Sequence, residues 1–318
     1  MDDNKKGNPF RSKKEDIMSE ERKVWFNGEL IPWEKATVHI FSHAFSRGSA
    51  LFEVFAVFPT PGGPVAFRSD LHMRRLWNSA KFLGMELAQT REELEKAVAK
   101  TVQANRLNQG YVKIVAFWGI ESFANLVPDV KLDMSIFAVP ATVDYGDVSK
   151  PIGACIVKWR KIHPESMPVE AKAAGYYINA MLARREAYQR GFDQGIMLDT
   201  QGFVAEGSVE AIFMVKDGVL MTPPLGRILP SVSRQSVLDV ARVIGIPAVE
   251  KAIRAEDLMT ADELFTSCTV VRVLPIGRFE NRTMEKAPGP ISSRLIKVID
   301  EIIAGRDERF KEWLKPLS

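Results

Sequence analysis

The sequence predicts an α+β fold in two domains, and three observations predict it. Strand-like and helix-like patterns come in groups rather than in strict alternation, which favours sheets covered by segregated helices over a doubly wound fold. The chain has 318 residues, of which 46% are hydrophobic, enough for two separate cores. Near the middle, "VDYGDVSKP" (143–151) breaks both patterns and reads as a linker. The expected organisation is an N-terminal extension without fixed structure (1–22), a small α/β unit (23–142), the linker (143–151) and a larger unit (152–318).

Each element has its own local reason. "KVWFNGELIPWEKATVHI" alternates around Asn27-Gly28 and predicts a hairpin. "ALFEVFAVF" is a strand, and "PTPGGP" turns it into "VAFR". Leu71, Leu76, Ala80 and Leu83 recur near helical spacing, with Gly84 as the stop. "TREELEKAVAKTVQANR" is a helix with Thr90 as N-cap and Glu93 at the capping-box position. "YVKIVAFWGI" and "MSIFAVPAT" are buried strands, so the first unit is strands with helices on one side. The second unit opens with the strand "GACIVKW" and a helix carrying Lys172 at its start. Two hairpins follow, turning at "DTQG" and "KDG". A helix over "SVSRQSVLDVARVIG", the strand "PAVEKAI", a strand pair around "ELFTSCTVVRVLPI" and a helix from about Ser292 complete it.

Composition narrows the function. The 43 Lys+Arg residues against 40 Asp+Glu give a formal net charge of +3, too balanced to indicate nucleic acid or a membrane surface as partner. The 2 cysteines, Cys155 and Cys268, and 4 scattered histidines form neither a disulfide framework nor a zinc pattern. No apolar run reaches membrane-spanning length, and the N-terminus lacks a signal-peptide core, so the expected compartment is the cytoplasm.

Several residues could carry chemistry. Lys172 lies in "VEAKAAGYY", among residues too small for an ordinary solvated lysine to need; burial would lower its pKa and make its amine nucleophilic. Glu206 sits in the apolar strand "GFVAEGSVEAIFMV", and Ser231 and Ser233 open a helix whose free N–H groups form an anion site. Arg75 lies on an amphipathic helix and Thr269 in "SCTVV". Taken singly, each has an ordinary structural explanation. Together they provide an amine for an aldehyde, a carboxylate for a ring nitrogen and donors for a phosphate, the set that pyridoxal 5'-phosphate requires.

From about Val24 to the C-terminus the sequence resembles the fold-type IV (class IV) pyridoxal-phosphate aminotransferases, and among them the branched-chain amino acid aminotransferases. The resemblance is carried, in order, by "FNGELIPWEKATV", "SHAFSRGSALFE", "HMRRLWNSAKFLGM", "WRKIHPESMPVEAKAAGYY", "LDTQGFVAEGSVEAIFMVKDGVLMTPPLGRILPSVSR", "ADELFTSCTVVRVLPI" and "EIIAGRDERFKEWL". It implies Lys172 as the Schiff-base lysine, Tyr177 as the partner of the cofactor phenolate oxygen and Glu206 as the partner of the pyridine nitrogen. It further implies Arg75, Val232, Ser233 and Thr269 as phosphate ligands, with Leu229 under the ring. On the substrate side it points to Arg47, Phe52, Tyr111, Lys113 and Val270. The implied cofactor is pyridoxal 5'-phosphate, the implied partners are an amino acid and a 2-oxo acid, and the implied assembly is a homodimer or a higher homo-oligomer.

The substrate side departs from the family pattern. Arg47 replaces a tyrosine, Tyr111-Val112-Lys113 replaces Tyr-x-Arg, Val54 and Ala56 replace glycine and arginine, Cys268-Thr269-Val270 replaces Gly-Thr-Ala, and Ala211 replaces asparagine. Arg47 raises a specific expectation: it needs an anion, supplied by a carboxylate such as Glu53 or by the substrate. Branched-chain L-amino acids with 2-oxoglutarate lead as substrates. A lyase of the aminodeoxychorismate type and a D-amino-acid or amine transaminase are the alternatives on the same fold.

Overall fold

The computed structural model describes residues 22–141 and 150–318; residues 1–21 of the expected N-terminal extension, and the linker up to residue 149, lie outside them. The first sheet is built from β1 (Lys23–Phe26), β2 (Glu29–Pro32), β3 (Ala50–Thr60), β4 (Gly63–Phe67), β5 (Gly110–Phe117) and β6 (Asp133–Pro140). The Asn27-Gly28 hairpin forms as expected, with Val24 opposite Ile31. Between β2 and β3 lies a short helix, α1 (His43–Arg47), which has no periodic pattern to reveal it. Helices α2 (Ser69–Phe82) and α3 (Arg91–Ala104) cover one face of the sheet. There Phe55, Val112 and Ile114 pack with Met73, Leu76, Leu94 and Val98 in one buried core. The Thr90/Glu93 capping box is present with both of its hydrogen bonds.

The second sheet begins with β7 (Ile152–Arg160). It continues through α4 (Tyr177–Gln189), β8 (Gln194–Leu198), β9 (Val204–Gly207), β10 (Ala211–Lys216), β11 (Val219–Thr222) and α5 (Val232–Val243). The rest is β12 (Ala248–Glu250), α6 (Ala255–Met259), β13 (Glu263–Ser267), β14 (Leu274–Phe279), β15 (Arg282–Thr283) and α7 (Pro290–Ile303). Its strand order is β12-β11-β10-β13-β14-β7-β8-β9, with β15 paired to β14. The predicted strand "PAVEKAI" shrinks to the three residues of β12, and all three are exposed, so no burial holds a longer strand. On α7, Leu295, Ile299 and Ile302 recur at helical spacing and are buried against α5 and β13. The last strand, β16 (Leu314–Pro316), returns to the first sheet and pairs antiparallel with β4.

One expectation is corrected. Lys172 does not open a helix. It precedes a short 3-10 turn (Ala174–Tyr176), and α4 begins only at Tyr177. Ala173 is extended, at φ −96° and ψ 139°. The stretch runs beside β3 instead: Ala173 bridges Leu51, and the Lys172 carbonyl accepts a hydrogen bond from the Phe52 N–H at 3.1 Å. This lays the lysine across the junction of the two sheets.

Candidate active site

The small residues after Lys172 do two different jobs. Ala173 lines the cleft between the sheets. Gly175 instead permits close chain approach: a Cβ on Gly48 would lie 3.0 Å from the Gly175 Cα, and Gly48 itself holds φ +69°. Gly175 therefore makes room for the α1–β3 turn, not for a planar ring. With the Lys172 N–H donating to Ser79 Oγ at 2.9 Å, the backbone of the lysine is tied to α2 as well as to β3.

The side chain of Lys172 points into a cleft enclosing about 670 Å³, including its open mouth. Its ammonium donates to Tyr177 Oη at 2.8 Å. Burial, reinforced by the charge of Arg75, lowers its pKa from 10.5 to about 8. Burial pushes the Tyr177 phenol the other way, above its ordinary value. The Phe52 ring packs edge-on against Tyr177 with centroids 4.9 Å apart, and lies 4.6 Å from the Lys172 amine.

Glu206, at the end of β9, lines the same cleft. Its position is fixed by the turn that follows: the Gly207 N–H donates to the Glu210 carbonyl at 2.7 Å, and the buried Glu210 carboxylate is paired with Arg184. Glu206 itself contacts Lys161. Nothing around "WRK" marks it as more than a strand end; only the packing of β7 beside β8 brings it to the cleft.

Arg75 is buried and held by Glu53 through a bidentate pair, Nε to Oε1 at 2.7 Å and Nη2 to Oε2 at 2.8 Å. His72 Nδ1 lies 2.7 Å from the same carboxylate. Burial alone would raise the Glu53 pKa, but the charge and hydrogen bonds of Arg75, with those of His72, outweigh it and hold it at about 2. Arg75 Nη1 donates to the Pro230 carbonyl at 3.0 Å, docking the arginine at the start of α5. There Ser231 is both cleft wall and N-cap, accepting from the Arg234 N–H at 3.3 Å, while Leu229, Val232 and Thr269 also line the cleft. Ser233 lies one residue further into α5. The first N–H groups of a helix have no intrahelical acceptor, so the start of α5 beside Arg75 could hold an anion. Thr269 Oγ1 donates to the Val54 carbonyl at 3.3 Å, joining the two sheets at the cleft.

The substrate-side residues divide. Phe52, Val54 and Ala56 of β3 pair with Val115, Lys113 and Tyr111 of β5, so these residues share one face of the first sheet. Lys113 Nζ lies 5.3 Å from the Phe52 ring; the surrounding protein, then the charge of Lys172, hold its pKa below the usual lysine value. Val270 packs partly buried against the cluster of Cys268, Val271 and Leu274. Cys268 lines the cleft, and burial raises its thiol to about 11. Arg47 is elsewhere: its guanidinium donates to Ser46 Oγ and to the Ser122 and Phe123 carbonyls at 2.9, 3.2 and 2.9 Å. The anion expected from Glu53 is therefore not supplied, because Arg75 and His72 occupy that carboxylate; neutral oxygens serve Arg47 instead.

Residues 50–279 match the family described as amino-transferase class IV. The chain belongs to the class IV aminotransferases. The branched-chain-amino-acid aminotransferase of Salmonella typhimurium is 34% identical over 300 residues, covering 93% of this chain and 97% of that one. The branched-chain aminotransferase of Thermoproteus uzoniensis, solved with norvaline, superposes with a TM-score of 0.89 at 37% identity, covering 93% of this chain and 99% of that chain. The branched-chain amino acid aminotransferase of Thermobaculum terrenum, solved in its PLP form, gives 0.88 at 31% identity, covering 95% of this chain and 100% of that chain. Class IV aminotransferases use pyridoxal 5'-phosphate, and the cleft fits that group. It offers an amine of lowered pKa, a carboxylate and an anion site around one space. The Ser208 hydroxyl in its wall is buried without a hydrogen-bond partner, an unmet polar group facing ligand space.

Proposed function

We propose that this aminotransferase moves an amino group between a branched-chain L-amino acid and a 2-oxo acid such as 2-oxoglutarate, donor and acceptor using one site in turn. The Phe52 ring carries the donor assignment. An aliphatic side chain on a carbon reacting at Lys172 would lie against this ring, 4.6 Å from the amine, and gain by burying apolar surface. The relatives' names agree with it. Lys113, beyond the same ring, offers a point charge to a carboxylate, without the planar fork of an arginine.

In this reading the bound cofactor supplies an electron sink for the substrate's Cα. Glu206 holds the ring nitrogen, Tyr177 the phenolate oxygen, and Arg75 with the start of α5, Ser233 and Thr269 the phosphate. Leu229 packs under the ring. Lys172 would take a proton from the substrate's Cα and return it to C4' of the cofactor; a pKa of about 8 suits both halves of that task. We further propose a division at residues 143–151 into small (23–142) and large (152–318) domains, a cytoplasmic location, and a homodimer or higher homo-oligomer. Exposed Phe123, Ile178 and Met181 support the homodimer as apolar surface that a second copy would cover. No helix among the described residues is long and apolar enough to cross a membrane.

The test is a panel of L- and D-amino acids and simple amines added to the loaded enzyme, following conversion of the cofactor to its amine form by absorbance. Leucine, isoleucine and valine should react fastest. Faster reaction with a D-amino acid or an amine would overturn the donor assignment. Release of pyruvate from a chorismate-derived amine without an oxo acid would make the protein a lyase.

A further inference from the structure

Two lysines line the cleft, and the amine chemistry needs only one. Lys172 is engaged with Tyr177. Lys161 reaches the cleft from the end of β7, where its N–H donates to the Leu198 carbonyl of β8 at 2.9 Å. Glu206 reaches it from β9, where it pairs with Met197 of β8. The two side chains thus flank one strand and meet, Lys161 Nζ on Glu206 Oε1, with only 14% and 10% of the side chains exposed. An ion pair this enclosed adds little to stability, because desolvation of both charges offsets their attraction; a pair of apolar side chains would serve the fold as well. What it does fix is the carboxylate. Oε1 is held by Lys161, and Oε2 is the oxygen outside that contact on a residue that lines the cleft.

We infer that Lys161 is a positioning residue: it anchors Glu206 by Oε1, so that Oε2 meets the ring nitrogen of the cofactor and the proton between them stays on the ring. The inference rests on Glu206 being the partner of that nitrogen. The second half follows from distance. The Lys161 charge touches the carboxylate and is farther from the ring, so it disfavours a proton on the carboxylate more than a proton on the nitrogen.

The experiment compares Lys161→Met, Lys161→Arg, Glu206→Gln and the Lys161→Met/Glu206→Gln pair, each loaded with cofactor labelled with ¹⁵N in the ring. Ring-nitrogen NMR reports where the proton resides, and equilibrium dialysis reports cofactor affinity. Lys161→Met should move the ring signal toward its unprotonated position and weaken cofactor binding roughly tenfold, the scale of one charge-assisted hydrogen bond. Lys161→Arg should restore both, and the double variant should be no worse than Glu206→Gln alone, since Lys161 acts through that carboxylate. A shifted ring signal in Glu206→Gln with an unchanged one in Lys161→Met overturns the inference alone. Additive losses in the double variant also overturn it, because Lys161 would then act on the cofactor directly. An unchanged signal in Glu206→Gln overturns the Glu206 assignment and the inference with it.

Discussion

Lys172 carries a cost before any cofactor binds. Its folded pKa of about 8 lies below the ordinary 10.5, so between these values the unfolded chain binds more protons than the folded one. Stability of the unloaded protein therefore rises with pH across that window, and below pH 8 the buried charge opposes folding in full. Lys172→Met removes the charge at nearly constant volume. In urea unfolding without cofactor it should be more stable than the parent at pH 7, by about 1–3 kcal/mol, and the gap should close by pH 10.5. A gap independent of pH would mean that packing, not charge, sets the difference. Arg47 illustrates the opposite case. Its charge and its place in the family pattern point to substrate, but its donors are spent on the loop carbonyls of Ser122 and Phe123. Arg47→Tyr should leave the leucine-to-glutamate ratio of kcat/KM unchanged; a shift toward leucine would give Arg47 a role in choosing the substrate. Lys172, Glu206 and Arg75 each have an ordinary explanation when read singly; it is their combination, and the resemblance to the class IV family, that singles them out in the sequence, and the structure places all three around one cleft. Lys161 is not legible there, since its setting is created by strand β8, more than thirty residues further on.

At the scale of elements, long periodic segments are legible and short ones are not. The helices α2, α3, α5 and α7 repeat an apolar residue every third or fourth position and need no tertiary information. The five-residue α1 and α6 are too short to show a period. The Lys172 stretch reads as helix because alanines favour helix, yet hydrogen bonds to β3 and α2 override that preference and hold it extended. The turn at Gly48 controls this docking. Gly48→Ala would force a left-handed alanine against Gly175, with the new Cβ 3.0 Å from its Cα. Differential scanning should show a loss of about 1–2 kcal/mol, and kcat should fall as the lysine stretch is displaced. Full activity in a destabilised variant would show that the docking of this turn does not position Lys172.

For the whole molecule, the cleft exists because two sheets meet along β3, the Lys172 stretch and Thr269. The grouping of strands and helices predicts this α+β architecture, but not that β16 closes on β4 in the first sheet. Three residues carry no readable pattern, and the pairing is a consequence of where α7 leaves the chain. Ending the chain at Trp313 should free the outer edge of β4, which stays paired with β3, lower the midpoint of thermal unfolding and promote association through that edge; an unchanged midpoint would make the pairing incidental. Of Lys172 and Lys161, which line the cleft, and Lys113, which lies by the Phe52 ring, Lys172 alone should join the cofactor. Borohydride reduction of the loaded enzyme followed by peptide mapping tests it. The cofactor mass should appear on the peptide containing Lys172 and on none containing Lys161 or Lys113. A tag on either of the other two, with Lys172 unmodified, would contradict it.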